Sequence, residues 1–366
     1  MIKSMSSHSS LEALSNELFL EIFDLLSSFD IIYSFYNLNT RIKSIIGTKY
    51  FISLDLTNMP IMKIEHYCKQ IIPQINDKLC KLTITNASAC GEIRVFNLLC
   101  NLIDYPQLVT LELNNALYSD LKLIIPKLKY VKSLKISWCD YVLPGTDKDR
   151  RLIMELLFSD STIPHLTSLQ LSSLHTDDII NWQKSFHLEE FTIDCCSVDV
   201  LSKLDRFVLN IDCLSITFPY QTDKLNRDDL IRLRTLQSEI SMGSLMAFDV
   251  WKLDVRGRPF EFVELLIKTV QARDKLYITL STASIDSLIA ENWKNLLSFH
   301  RNAYHSHFQL HLNITVPFHE PINISELSTE FETHFWTSKK WKVILNVDIK
   351  KQLIKLKTLP YNKNNF

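Results

Sequence analysis

The sequence predicts an α/β fold: a small helical module followed by a solenoid of parallel strands with helical crossovers. Three observations predict it. Within Asn16–Leu26, apolar residues crowd nearly the whole circumference of a short helix, and further short helical pieces follow to Ile46. From residue 51, a pattern of apolar, two others, apolar, one other, apolar recurs eight times. Between those triplets lie stretches whose apolar residues repeat at helical spacing, and strands alternating with helices build parallel pairs through right-handed crossovers.

Composition bounds the function classes. A chain of 366 residues suffices for a large core or for two unequal units. Hydrophobic residues at 46% and charged residues at 22% are ordinary globular usage, which argues against disorder over most of the chain. A formal net charge of −1 supplies no field drawing the protein to nucleic acid or to an anionic membrane. The five glycines (Gly47, Gly91, Gly145, Gly243, Gly257) are scattered, so no phosphate-cradling loop or dinucleotide fingerprint can form and no cofactor is expected. The eight cysteines include no C-x-x-C pair and read as reduced, buried thiols of a cytoplasmic or nuclear protein. Residues 1–10 read as a loose tail without a secretory signal, and no apolar run approaches the ~18 residues of a membrane span.

The helical module covers residues 11–50. Asn16–Leu26 carries Leu18, Phe19, Leu20, Ile22, Phe23, Leu25 and Leu26 around a narrow polar stripe of Glu17, Glu21 and Asp24. Ser15 or Asn16 caps it. A second helix starts at Asp30, carries Ile31, Ile32, Phe35, Tyr36 and Leu38, and ends near Asn39; Arg41–Ile46 forms a third amphipathic piece. So short a unit cannot hide that much apolar surface within itself. Either the region behind it or a partner helix must cover the surplus.

The order Leu14-Ser15-Asn16-Glu17-Leu18, Glu21-Ile22-Phe23, Leu25-Leu26-Ser27, Asp30-Ile31 and Leu38-Asn39-Thr40-Arg41 resembles the F-box family. Ser15 stands where that family usually has Pro, and the later Trp of many F-boxes is missing. The resemblance implies docking to the Skp-type adaptor of a cullin–RING ubiquitin ligase. Leu14, Leu18, Ile22, Phe23, Leu26 and Ile31 would supply the buried contacts, divided between partner and module core.

The repeat region spans 51–257. Its triplets are Phe51-Leu54-Leu56, Leu79-Leu82-Ile84, Leu108-Leu111-Leu113, Val131-Leu134-Ile136, Leu166-Leu169-Leu171, Leu188-Phe191-Ile193, Ile211-Leu214-Ile216 and Val250-Leu253-Val255. The last two apolar residues of each are two apart and share one strand face. Asp177–Trp182 and Val198-Leu201-Leu204 read as intervening helices. The longest gaps call for an insertion at Trp138–Arg150 and for an insertion or a degenerate repeat within Phe218–Ser241. Triplet and spacing resemble leucine-rich repeats, which run about 20–29 residues. Of the Asn/Cys that those repeats place three residues after the strand, only Cys139 and Cys196 are found. In such a solenoid the residues between the apolar positions face the concave side. Those singled out for substrate binding are Lys81, Thr83, Glu112, Asn114, Lys135, Gln170, Glu190, Thr192, Lys252 and Asp254.

Beyond Arg258-Pro259 a helix at Phe262–Val270, strands at Leu276–Leu280, Phe308–Ile314 and Val343–Val347, and a helix around Ile285–Phe299 extend the order. Residues 258–350 thus read as degenerate repeats or a cap, and 351–366 as a polar tail. Three chemistries are weighed and set aside. His305-x-His307, near His300 and His311, lacks further ligands for a metal. The acidic pairs Asp177-Asp178, Glu189-Glu190 and Asp228-Asp229 read as helix-end or solvated charges. Lys148-Arg150-Arg151 and Lys339-Lys340-Trp341-Lys342 read as solvated faces.

The expectation is a non-catalytic substrate-recognition adaptor of an SCF-type ubiquitin ligase, partnered by a Skp-type adaptor, through it a cullin, and a substrate protein. The alternatives are a leucine-rich-repeat scaffold whose leading helices only cap the sheet, and an enzyme or enzyme regulator using the concave face.

Overall fold

The computed structural model describes residues 11–360 except 27, 37, 49–51, 58, 88–90, 139–146, 160, 175–186, 205–210, 220–226, 241–245, 283–284, 299–307, 319–322, 340 and 349–350. Two compact units divide the chain. The first runs through Leu157 and includes Ser161–His165; the second holds the remainder from Phe158 onward.

The first unit opens with three short helices: α1 (Asn16–Asp24), α2 (Ser28–Phe35) and α3 (Thr40–Thr48). Four strands follow, with helices between them. They are β1 (Ile52–Asp55), α4 (Ile61–His66), β2 (Leu79–Thr85), α5 (Glu92–Leu99), β3 (Thr110–Ala116), α6 (Tyr118–Ile124), β4 (Ser133–Trp138) and α7 (Asp147–Leu157). β1 to β4 pair in sequence order, all parallel. Side-chain amides fix the turns between them. Asn86 accepts from Ile93 N at 2.9 Å and donates to Asn115 O at 3.1 Å. Gly91, at φ 101° just before α5, adopts the left-handed backbone that glycine tolerates without strain.

The second unit runs β5 (Ser168–Leu171), β6 (Glu190–Ile193), α8 (Val198–Leu204), β7 (Cys213–Thr217), α9 (Arg227–Ile240), β8 (Met246–Asp254), α10 (Phe260–Thr269) and β9 (Val270–Ser281). It continues with α11 (Ala290–Ser298), β10 (Gln309–Pro317), α12 (Ile324–Glu330), α13 (His334–Ser338), β11 (Trp341–Asp348) and β12 (Leu353–Pro360). Its strand order is β5-β6-β7-β8-β9-β10-β12-β11, parallel through β10. β12 then runs antiparallel to both β10 and β11.

The fold is thus α/β with a mostly parallel sheet, and the last two residues of all eight predicted triplets fall at its strands. The two apolar residues that share a strand face are at most 3% exposed in every triplet. Burying each contributes about 2 kcal/mol, which is why the pattern, and not strand propensity, sets the register.

The long gaps and the C-terminal segment turn out differently from one another. β7 pairs directly with β8, so the long gap before β8 holds α9 and no further strand among the described residues. The helix expected at 177–182 and most of the insertion at 138–150 lie outside the described residues, although α7 starts at Asp147. The segment expected as a tail from 351 contains β12, whose Ile354 and Leu356 are fully buried while Lys355 and Lys357 alternate with them. The lysines disguised a strand that pairs antiparallel with the preceding β11 and reaches back to β10.

Candidate functional site

Two surfaces collect the residues singled out by the sequence. The first is the helical module. Ser15 caps α1 with φ −66° and ψ 162°, its Oγ accepting from Leu18 N at 3.5 Å. That backbone is one a proline would also adopt, so the Ser at this position preserves the geometry without the ring. Arg41 of α3 reaches back to the start of α1. It donates to Leu14 O at 2.6 Å and to Asn16 Oδ1 at 3.0 Å, with its guanidinium over the Phe19 ring. Asn39 Oδ1 accepts from Ile42 N at 2.8 Å and so caps α3.

The module has an inside and an outside. Phe19, Phe23, Ile31, Ile32, Tyr36, Ile42, Ile45 and Ile46 are buried, with Phe23 edge-on to Phe35 at 5.3 Å. Of the six adaptor candidates, Phe23 and Ile31 lie in the buried core of the module, Phe23 against Phe35 of α2. Leu18 (44% exposed) and Leu26 (37%) face water, Leu14 and Ile22 are half-buried, and Leu25, absent from the candidate set, is 87% exposed. The helical spacing that marked α1 as apolar all round could not say which stripe turned inward.

The second surface is the polar face of the sheet. In the first unit Asp55, Thr83, Glu112 and Lys135 fall in one row across four strands. Lys81 Nζ pairs with Glu112 at 2.6 Å. Lys81, Glu112, Asn114 and Lys135 are half-buried. Thr83 is buried in the row between Asp55 and Glu112, which leaves little of it for a partner to touch.

In the second unit a row crosses six strands: Gln170, Thr192, Ser215, Lys252, Tyr277, His311. Gln170 donates to Asp194 at 2.9 Å, and Glu190 accepts from Ser168 Oγ at 3.2 Å. Asp254 is held by Arg256 at 2.7 Å. Lys252 and Glu190 are exposed; Gln170, Thr192 and Asp254 are half-buried.

Tyr277 and His311 extend this face beyond the predicted set. Their rings stack with centroids 4.2 Å apart and planes 7° from parallel. Burial holds the His311 imidazole below its ordinary 6.5, and the charge of Lys275 adds to that, so the neutral ring is favoured. Both line a depression of 270 Å³ with Thr279, Asn313, Lys357 and Thr358. The signal was present in Leu276-x-Ile278 and Leu310-x-Leu312, whose intervening residues these are.

The arrangement offers hydrogen-bond donors, acceptors and mixed charge over a broad face, suited to a protein surface. Among the described residues no three or more His, Cys, Asp or Glu side chains are grouped to hold a metal ion. His300, His305 and His307 lie outside the described residues, as does Asp177-Asp178. Asp229 instead sits in a buried ion pair with Arg258. Burial pushes the Cys196 thiol well up, away from the reactive thiolate. No helix among the described residues is long and apolar enough to cross a membrane. No protein-family model matches the chain, and no curated protein is similar to it in sequence.

Proposed function

We propose that this chain is a non-catalytic substrate-recognition subunit of an SCF-type ubiquitin ligase. In this reading the leading helices are an F-box-like module that docks to a Skp-type adaptor and through it a cullin. The strands and helices behind them are a leucine-rich-repeat solenoid that holds a substrate protein. Ligation is then promoted by proximity, because holding two reactants together raises their effective concentration without a reactive group in this chain.

The observation that carries the reading is the divided module: a packed interior of Phe19, Phe23 and Ile31, and leucines 18, 25 and 26 left facing water on its other side. Exposed leucines clustered on one short segment mark an interaction surface. The polar row ending in Lys252, Tyr277 and His311 supports the second half of the reading, as the surface that meets the substrate.

A second reading, a scaffold whose helices merely cap the sheet, is favoured by one observation. Tyr36 Oη donates to Gln74 O at 2.9 Å and Lys78 Nζ to Gly47 O at 3.2 Å, tying the end of α2 and α3 to the segment that leads into β2. Capture of purified Skp-type adaptor by the full chain separates the two. Leu18→Asp/Leu25→Asp should abolish capture while circular dichroism and melting stay unchanged. Adaptor capture that is absent in wild type, or equal in the variant, refutes the ligase reading.

A further inference from the structure

We propose that β11 is a self-pairing edge through which two copies of this chain associate across a two-fold axis. The strand is eight residues long, Trp341-Lys342-Val343-Ile344-Leu345-Asn346-Val347-Asp348, and pairs with β12 over eight positions without a bulge. Among the described residues no strand pairs with it on the side away from β12. Such edges are normally blunted by shortness, bulges, proline or a covering element, because unpaired N–H and C=O groups template further pairing.

The first unit shows that blunting. β1, at the edge of its sheet, has four residues, a register shift between Ile52 and Ser53, and α2 packed against it. β11 is twice as long and runs without a register shift, although α12 and α13 pack against it. Trp341 is buried beside Trp336 of α13, but Val343, Ile344, Leu345 and Val347 are all only half-buried. β10, by contrast, alternates fully buried residues with half-buried or exposed ones.

The side chains indicate the occupant. Antiparallel pairing of β11 with a second β11, centred on Leu345, sets Lys342 opposite Asp348 of the second copy and repeats that pair by symmetry. Val343 then faces Val347, and Leu345 faces its own counterpart. A register shifted to fall between Ile344 and Leu345 sets Lys342 against Val347 and Trp341 against Asp348, leaving both charges without an opposite. Among the described residues Asp348 makes a 3.9 Å contact to the exposed Lys351, worth little, and accepts from Lys351 N at 3.1 Å. Opposite-charge and aliphatic pairs directly across an antiparallel ladder are stabilising, and like charges there are destabilising. The same patch meeting itself closes as a dimer rather than a filament. One strand pair is a small interface, so association in the roughly micromolar range is expected.

The test is sedimentation of the full chain from about 1 to 100 µM, the range a small interface requires. Wild type should shift from monomer to dimer. Lys342→Asp should weaken association about tenfold, and Lys342→Asp/Asp348→Lys should restore it, since only the swap rebuilds opposite charges. Leu345→Cys should cross-link to itself on oxidation beyond the level of the parent, because facing residues in such a ladder lie within disulfide reach. Circular dichroism of each variant checks the fold; Lys342 is exposed and tolerates replacement. A wild-type chain that stays monomeric overturns the proposal, as does a dimer indifferent to both charge variants. A monomer that instead takes up an extended peptide of another protein at β11 also overturns it.

Discussion

Replacing Asp229 by alanine should destabilise the second unit more than any surface change. Asp229 stands on α9, and its Oδ2 accepts from Arg258 Nη1 at 2.9 Å. Arg258, between β8 and α10, is 4% exposed and lies with its guanidinium over the Phe262 ring at 4.9 Å. Removing the carboxylate leaves a buried cation without its principal counter-charge, which costs about 3–5 kcal/mol. At about 2–4 °C per kcal/mol for a unit of this size, the melting midpoint should fall by about 10 °C. Asp229→Asn keeps an acceptor and should cost about half as much. Arg258→Met removes the charge that Asp229 answers, so Asp229→Ala should cost far less in that background. Differential scanning calorimetry of the four-member cycle measures the coupling, expected at about 2 kcal/mol or more. Additive losses would show that the two side chains do not act as a pair, and the reasoning would fail.

Other outcomes follow from the same geometry. Trp293, fully buried, donates to Ser287 O at 2.8 Å and meets Phe260 edge-on at 5.2 Å; Trp293→Ala should cost about 3–5 kcal/mol in chemical denaturation. Ser15→Pro exchanges a long cap bond for a ring suited to φ −66°, so α1 stability should change by less than about 1 kcal/mol in thermal melts; a loss above that would mean the cap bond matters more than its 3.5 Å length suggests. His311 binds its proton less readily folded than unfolded, so stability should rise with pH through the window below 6.5 and fall on acidification toward pH 5. His311→Phe, which keeps the stack on Tyr277, should flatten that dependence in denaturant titrations at stepped pH.

What was legible in the sequence follows from the range of the forces involved. The triplets declared themselves because a strand buried on one face must place Leu82 and Ile84, or Leu214 and Ile216, two residues apart, whatever it pairs with. The polar residues between them were read for the same reason, and the row of Gln170, Thr192 and Lys252 followed. What depended on distant neighbours was not legible. Thr83 is covered by residues of adjacent strands, Phe23 is inside because of how α1 lies on α2, and Leu25 is outside by the same rotation. β12 was hidden twice over, by its lysines and by partners, β10 and β11, that precede it in the chain.

That position of β12 sets the order in which the second unit can be completed. β11 leaves the ribosome before β12, the strand that pairs with both it and β10, so the growing chain carries an unclosed β10 rim until residue 360 has emerged. A chain cut near residue 350 loses one strand and orphans another, exposing Leu312, Ile314 and Val316 along an unzipped border open to misassembly. Reporter fusions for this protein should therefore follow Pro360 through a flexible linker, and stalled translation products should be short-lived in cells.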